Sequence, residues 1–207
     1  MKATKTITYN VEDFELTFEP IEDTIKINEI KTGYEVKYLI NDENGYNPRE
    51  DNNIGIMVCF HRRYTLGDKT ELKSDNFNDW EELYNHLKKE EKAICILPLY
   101  LYDHSGISIK VGSFIGHAQH AEWDSGQVGF IYTTKEQLNK IGVTTKSKKK
   151  IETYLRNEVE TYNHYITGEC YELVKELYGK DKEQIDYDTL GGFLGYDDSL
   201  KALESEI

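Results

Sequence analysis

Cysteine is scarce in this sequence, and its placement excludes a disulfide framework. The 207 residues include three Cys, at positions 59, 95 and 170, each in an apolar or strand-like context. An odd number of widely spaced thiols indicates reduced cysteines, and without a CxxC pair a cysteine-based zinc site is not expected. Apolar surroundings also make poor thiolate nucleophiles. The cysteines therefore predict a protein of the reducing cytoplasm.

Long apolar runs are also absent. The most apolar segment, KAICILPLYLY at 92–102, is much shorter than a membrane span. The first 15 residues contain no apolar core of a secretory signal. We therefore expect a cytoplasmic protein with no membrane partner.

Basic residues are few relative to acidic ones. The chain has 25 Lys and Arg against 38 Asp and Glu, which gives a net charge of −13. A surface of this sign repels phosphate backbones, so direct binding to nucleic acid is not expected. It attracts basic surfaces, including the DNA-binding clefts of other proteins. Plain solubility is the alternative explanation of the acidic composition.

The motifs of several common enzyme classes are missing. The sequence has no P-loop, no GxGxxG after a strand, no GxSxG and no HExxH. We therefore expect a non-enzymatic protein without a cofactor.

The residues that are present favour an α+β fold built mainly on antiparallel strands. Apolar residues make up 38% of the chain and aromatic residues 12%, which is enough for a core. Alternating apolar and polar residues predict a β-meander over residues 5–40, with a hairpin turn at Thr32-Gly33. Residues 41–53 are turn formers and charges, which predicts a mobile loop. Further strands are predicted at 54–64, 92–102, 107–111, 128–132, 169–178 and 185–190.

Helical spacing of apolar residues predicts two main helices. One covers 77–87, with Asp75 or Asn76 as its cap, and a long amphipathic helix covers 151–166. A short helix is predicted within 197–207. No repeat, low-complexity tract or linker interrupts the chain. We therefore treat it as one α+β domain over all 207 residues, with an N-terminal β-rich subdomain at 1–66 as the alternative.

Two short basic segments stand out in the acidic chain. His61, Arg62 and Arg63 follow the strand predicted at 54–64, and TTKSKKK occupies 144–150. We expect the first segment to pair with the protein's own acids, and binding of an anion or a partner carboxylate is the alternative.

The stretch 98–133 has the densest mix of reactive and aromatic side chains. Its polar clusters, DHSG at 103–106 and the expected tight turn DSG at 124–126, lie at the ends of neighbouring strands and should be close in space. Exposed Tyr and Trp beside acidic side chains form anchors with a charged rim. A Trp that simply buries a loop is the alternative. The candidate binding residues are Tyr100, Tyr102, Asp103, His104, Glu122, Trp123, Asp124, Ser125 and Gln127, with Tyr132 as a further member of the aromatic patch.

The histidines of this stretch suggest a metal site as an alternative. His117 and His120 form an HxxH pair followed by Glu122 and Asp124, and His104 would complete a site for zinc, manganese or iron. Because HxxH in a loop is a frequent pattern without helix-borne geometry, we assign no metal and name His117 and His120 only as secondary candidates.

Nucleophilic catalysis is a further alternative. Ser105 or Ser125, with His104 and an aspartate, has the residue types of a catalytic triad. Neighbouring residues on a strand point to opposite faces, however, so Asp-His-Ser in sequence does not align the three side chains.

Four strings in the second half of the sequence carry a resemblance: PLYLYDHSGISI, WDSGQVGFIYTTKE, ETYNHYITGECYEL and GGFLGYDD. With these strings, part of the chain resembles an uncharacterised protein family of phages, plasmids and integrative elements of Gram-positive and related bacteria. The resemblance covers residues 98–198, and its most specific string is WDSGQVG at 123–129. It implies a bacterial host cell and a setting among antirestriction and other anti-defence genes. The family does not depend on His at positions 117 and 120, which argues against the metal site.

Together these observations predict an accessory protein of phage or mobile-element origin that binds and blocks a host defence protein. The expected partner is a nuclease or its effector complex, as for anti-CRISPR or antirestriction proteins, and the acidic surface would engage its basic nucleic-acid-binding cleft. One alternative is a small metal-dependent hydrolase or nucleotide-processing protein that uses His104, His117, His120 and Asp124. Another is a protein that sequesters a nucleotide signal near Trp123.

Overall fold

The computed structural model describes residues 7–11, 14–21 and 24–205. It confirms a mixed α+β fold of antiparallel sheets with one long helix. The strands are β1 (Ile7–Val11), β2 (Phe14–Phe18), β3 (Lys26–Ile30), β4 (Gly33–Asn41), β5 (Ile56–Cys59), β6 (Ala93–Asp103), β7 (Ile107–Val111), β8 (Ser125–Thr134), β9 (Cys170–Gly179) and β10 (Gln184–Leu194). The helices are α1 (Trp80–Lys89), α2 (Ala121–Asp124), α3 (Lys135–Lys140), α4 (Lys148–Ile166) and α5 (Tyr196–Ser205). Residues 5, 6, 12, 13, 22 and 23 of the predicted meander and residues 206 and 207 of the predicted C-terminal helix lie outside the described residues.

Contacts divide the chain into two compact units. The split unit consists of residues 1–46 and 167–207, and the inserted unit consists of residues 47–166. The single-domain organisation of the chain stays a prediction. The bounds of the two units differ from those of the alternative N-terminal subdomain, residues 1–66. Among the helices that the structure describes, none has the length and apolar character needed to cross a membrane.

The split unit contains a four-stranded antiparallel sheet in the order β10-β9-β4-β3, and β1 and β2 form a separate pair. A two-residue turn at Lys31-Thr32 joins β3 to β4, one residue before the turn predicted at Thr32-Gly33. Leu39 and Leu203 pack together where α5 contacts the sheet. Phe18 packs with Val36 in a second apolar cluster of the sheet. The two faces of this sheet therefore bury their side chains in two different apolar clusters, one with Val36 and the other with Leu39.

Glu176 is buried in the split unit and accepts hydrogen bonds from two tyrosines. The Tyr38 hydroxyl donates to Oε1 of Glu176 at 2.7 Å, and the Tyr178 hydroxyl donates to Oε2. Burial, followed by the adjacent carboxylate, raises the pKa of Tyr38 and of Tyr178 well above the ordinary value. Both phenols therefore stay protonated in the folded protein at a pH that ionises a free tyrosine.

Alkaline pH is expected to destabilise the split unit through these phenols. A pKa that is higher in the folded state contributes stability below the unfolded value of about 10, and this contribution is lost as the pH rises. Tyr38→Phe should lower stability at neutral pH, because a hydrogen bond is lost, but should flatten the decrease above about pH 10. Urea unfolding across this range measures both effects, with Tyr154→Phe on the exposed side of α4 as the control. Equal alkaline slopes in the wild type and Tyr38→Phe would contradict the assignment.

The inserted unit places helices on both faces of a second antiparallel sheet, in the order β5-β8-β6-β7. Leu99 and Ile131 face α4 and pack with its Leu155. Phe130, the neighbour of Ile131 on β8, points to the opposite face and packs with Leu83 of α1. The most apolar segment of the sequence is thus an interior strand of this sheet, as predicted.

Three predicted boundaries in the inserted unit are wrong. The strand expected at 54–64 is limited to β5. Helix α1 is capped by Asp79, whose carboxylate accepts from the Glu82 N–H at 2.8 Å, because the expected caps belong to a separate 3₁₀ turn at Ser74–Asn76. The expected tight turn at 124–126 is instead a direct junction between α2 and β8.

A buried arginine anchors the segment that was predicted as a loop at 41–53. The Arg49 side chain is 3% exposed, and its Nε and Nη2 donate to the two carboxylate oxygens of Asp68 at 2.8 and 2.7 Å. Its Nη1 donates to Glu158 at 3.1 Å, and Nη2 also donates to the Gly55 carbonyl at 2.7 Å. Glu158 in turn accepts the backbone N–H of Ile54 at 2.7 Å. Charged hydrogen bonds therefore anchor Arg49, Ile54 and Gly55 to Glu158 of α4, and the mobility of residues 41–53 stays a prediction.

Candidate functional site

The two polar clusters of the stretch 98–133 meet at one end of the β6-β8 pair. Tyr102 is opposite Ser125 in the strand register, so the residue after β6 lies beside the residue before β8. Nδ1 of His104 is 2.8 Å from Oδ2 of Asp124. This contact confirms the prediction that the clusters are close in space.

A tight connection between β6 and β7 presents His104. The His104 N–H donates to the Gly106 carbonyl at 3.0 Å, and Asp103 pairs with Ile107 across the hairpin. Ser105 has a φ of 57°, in the left-handed region. His104 is therefore held by its backbone as well as by Asp124.

Aromatic contacts attach the segment between β7 and α2 to the same end of the sheet. The Tyr102 ring stacks on Phe114 and on His104, with centroid distances of 5.5 and 5.9 Å. Its hydroxyl donates to the Gln119 carbonyl at 2.9 Å. The ring of His120 lies 6.2 Å from that of His104. Tyr102 thus links the hairpin to the chain that leads into α2.

Trp123 is the most exposed large apolar side chain among the described residues. It lies on α2, and 87% of its surface is accessible, so it does not bury a loop. Glu122 is exposed beside it, and the partly exposed Asp124 follows it. The Ser125 hydroxyl donates to the Ala121 carbonyl at 2.6 Å and holds the end of the helix. Helix α2, whose end is held by this hydrogen bond, therefore presents one large aromatic side chain to solvent. An exposed aromatic side chain of this kind is typical of an interface anchor.

Asp103, which was also predicted as a site residue, contacts the basic segment at 61–63 and the tyrosine that follows it. Asp103 forms an ion pair with Arg63 and accepts a hydrogen bond from the Tyr64 hydroxyl at 3.3 Å. This confirms that the basic segment at 61–63 pairs with one of the protein's own acids.

The remaining aromatic and amide candidates are less accessible than predicted. Tyr100 and Gln127 are opposite each other in the β6-β8 register and are half-buried. Tyr132 is buried with the side chains of α1, so its predicted place in an exposed aromatic patch is wrong.

Two observations concern the metal site and the Ser125 nucleophile among the catalytic alternatives. Within residues 7–11, 14–21 and 24–205, no three His, Cys, Asp or Glu side chains are arranged to hold a metal ion. His117 and His120 are both exposed. Ser125 donates its hydroxyl to a backbone carbonyl, as described above. The His104–Asp124 contact holds the end of helix α2, which carries Trp123, beside the connection between β6 and β7.

The acidic charge is concentrated in the split unit, which whole-chain composition does not reveal. The split unit has 9 Lys and Arg against 21 Asp and Glu, a net charge of −12. The inserted unit has 16 against 17, a net charge of −1. The strong electrostatic field of the chain therefore originates from residues 1–46 and 167–207.

Strand β10 forms an edge of this acidic unit. Its first nine residues, 184–192, are all exposed, and among the described strands it pairs only with β9. Ile185, Tyr187 and Leu190 are 64%, 54% and 54% exposed. Asp186 and Asp188 alternate with Ile185 and Tyr187 along the strand, whereas Leu190 lies on the same side as the two carboxylates. An open strand edge with apolar side chains and carboxylates can pair with a segment of a basic protein. A second copy of this chain would bring the same negative charges to the edge, so pairing between two copies is disfavoured. The alternation Ile-Asp-Tyr-Asp is visible in the sequence, but it does not indicate an edge.

The comparisons with known proteins assign no family to this chain. Protein-family models, curated proteins and solved structures were compared with it, and none of them matches.

Proposed function

We propose that the protein is a stoichiometric inhibitor that binds the basic nucleic-acid-binding cleft of a host defence nuclease or its effector complex. The observation that carries this proposal is the segregation of charge, with −12 in the split unit and −1 in the inserted unit. A compact acidic surface attracts a basic cleft, accelerates encounter and competes with the phosphate backbone for the same cations. The phage or mobile-element origin remains part of the proposal and rests on the resemblance of residues 98–198.

Strand β10 supplies the recognition surface. Asp186 and Asp188 would pair with Lys or Arg of the cleft, while the exposed apolar side chains at 185, 187 and 190 give contact area that charge alone does not provide. Trp123 on helix α2 of the inserted unit is a candidate anchor of its own, which requires no particular placement relative to β10. An exposed Trp on a helix that is held in place loses little conformational freedom on binding.

Capture from a bacterial lysate tests this function. The immobilised protein is expected to retain a nucleic-acid-binding protein at roughly equal stoichiometry, and the captured nuclease is expected to lose activity when it is titrated with the inhibitor. Retention should fall at least about tenfold between low and moderate salt. Asp186→Lys combined with Asp188→Lys should weaken it by at least about tenfold, and Trp123→Ala by a similar factor, without loss of stability.

A matched control separates a local contact from a change in total charge. Glu90→Lys combined with Glu160→Lys makes the same charge change at exposed positions of the inserted unit and should alter retention by no more than about threefold. Retention that is insensitive to salt and to the β10 substitutions would contradict the proposal. Recovery of a metal ion or nucleotide, with no protein partner, would instead support the enzyme or sequestration alternatives.

A further inference from the structure

The inserted unit contains a cavity of about 520 Å³ between β6, α3 and the start of α4. Its apolar wall includes the buried Leu138 and Ile151 and the half-buried Ile94, Cys95 and Val143. The volume falls within the range of about 300–1,000 Å³ that is typical of small-molecule sites. An apolar ligand body of moderate size would therefore fit.

Three lysines surround the apolar wall. Lys135, Lys146 and Lys148 line the cavity and are exposed. In the part of the chain that the structure describes, none of them has a carboxylate within ion-pair distance. The nearby Glu152 is already paired with Arg156 at 2.7 Å. The lining of this cavity therefore combines an apolar wall with three exposed cations.

We infer that this cavity binds a small amphiphilic anion, with an apolar chain or ring against Leu138, Val143 and Ile151 and a carboxylate head beside Lys146 and Lys148. An apolar body alone would not need the lysines, and a fully hydrated anion would not use the apolar wall. Dodecanoate has both features, so it is a suitable probe. This site is separate from the proposed inhibitor surface, because none of the residues that line the cavity belongs to β10 or to α2.

Cys95 provides a reporter inside the cavity. Burial, followed by the charge of Glu152, raises the pKa of its thiol, so its reaction with a maleimide is slow but measurable above neutral pH. Bound dodecanoate is expected to slow this reaction at least about fivefold, because the ligand covers the thiol. The Cys95→Ser variant keeps Cys59 and Cys170, so the maleimide labelling that this variant loses is the labelling of Cys95.

Calorimetric titration of the whole protein tests the ligand chemistry. Dodecanoate is expected to bind at one site per chain, and dodecanol, which lacks the charge, at least about tenfold more weakly. Lys146→Glu combined with Lys148→Glu should weaken dodecanoate at least about tenfold and leave dodecanol nearly unchanged. Val143→Trp, which fills the cavity without changing charge, should abolish binding of both.

The matched control is Lys149→Glu combined with Lys150→Glu, which changes the charge equally at the start of α4 but outside the cavity lining. It should reduce affinity by no more than about threefold. The inference would be overturned by equal affinities for dodecanoate and dodecanol, or by full reactivity of Cys95 in the presence of dodecanoate. It would also be overturned if the control pair weakened dodecanoate as much as the substitutions at 146 and 148 do. Unchanged capture of the protein partner by the Val143→Trp variant would show that the two proposals are separate.

Discussion

Replacing Arg49 by methionine is expected to lower the free energy of unfolding by about 3–5 kcal/mol. The substitution keeps an unbranched side chain but removes the charge between Asp68 and Glu158. Burial raises the pKa of Glu158, and Arg49 is the main group that opposes this increase, with help from backbone N–H groups. Without the guanidinium, two carboxylates remain close together in a poorly solvated place with no counterion. Urea unfolding near neutral pH, followed by circular dichroism, measures the loss.

Arg156→Met is the matched control for this prediction. Arg156 pairs with Glu152 one turn away on the exposed side of α4. Such surface pairs contribute little, so the control should change the free energy of unfolding by less than about 0.5 kcal/mol. A loss below about 1 kcal/mol for Arg49→Met would show that the buried network does not hold this part of the chain.

Gly129→Ala is expected to destabilise the inserted unit by about 3 kcal/mol or more. Gly129 lies on β8 between Cys59 of β5 and Leu99 of β6. A Cβ atom there would overlap the carbonyl oxygen of Val58 and come within 3.0 Å of the Cys59 Cα. Both neighbours are backbone atoms, so the strain is relieved only if β5 moves away from the sheet.

Gly126→Ala makes the same substitution three residues earlier on β8. No atom lies within 4 Å of its added Cβ, so stability should be unchanged or rise by less than about 1 kcal/mol. Maleimide labelling gives a second measurement, because burial raises the pKa of the Cys59 thiol to about 12 and displacement of β5 would expose it. Faster Cys59 labelling in Gly129→Ala but not in Gly126→Ala is the expected result. Similar stability of the two variants would contradict the steric explanation.

The elements that depend on local pattern could be predicted from the sequence. The strand at Ile107–Val111, the long helix and the contact between the clusters at 103–106 and 124–126 follow from apolar periodicity and from the position of polar residues at strand ends. The short helix α2 could not be predicted, because Asp-Ser-Gly has the composition of a turn and four residues show no periodicity. The exposure of Trp123 depends on that helix, so the sequence left two interpretations of this residue.

Features that depend on distant residues could not be predicted. Arg49 lies among turn formers, and its carboxylate partners are 19 and 109 residues away in sequence. The segregation of charge is similar, since it becomes visible only when residues 167–207 are known to share a unit with residues 1–46. Buried ion pairs and the grouping of strands are tertiary properties that composition and periodicity do not specify.

The insertion of residues 47–166 between β4 and β9 has a consequence during synthesis. Tyr38 is opposite Val174 in the sheet, so β4 leaves the ribosome long before the strand that pairs with it. These two residues are 136 positions apart in sequence, so at translation rates of about 5–20 residues per second the delay is roughly 7–27 s. All four strands of the inserted sheet emerge in that interval and can pair, while the side chains of Val36 and Leu39, buried in the finished protein, still lack β9 and α5. The nascent N-terminal segment is therefore the part of the chain with the greatest need for chaperone protection.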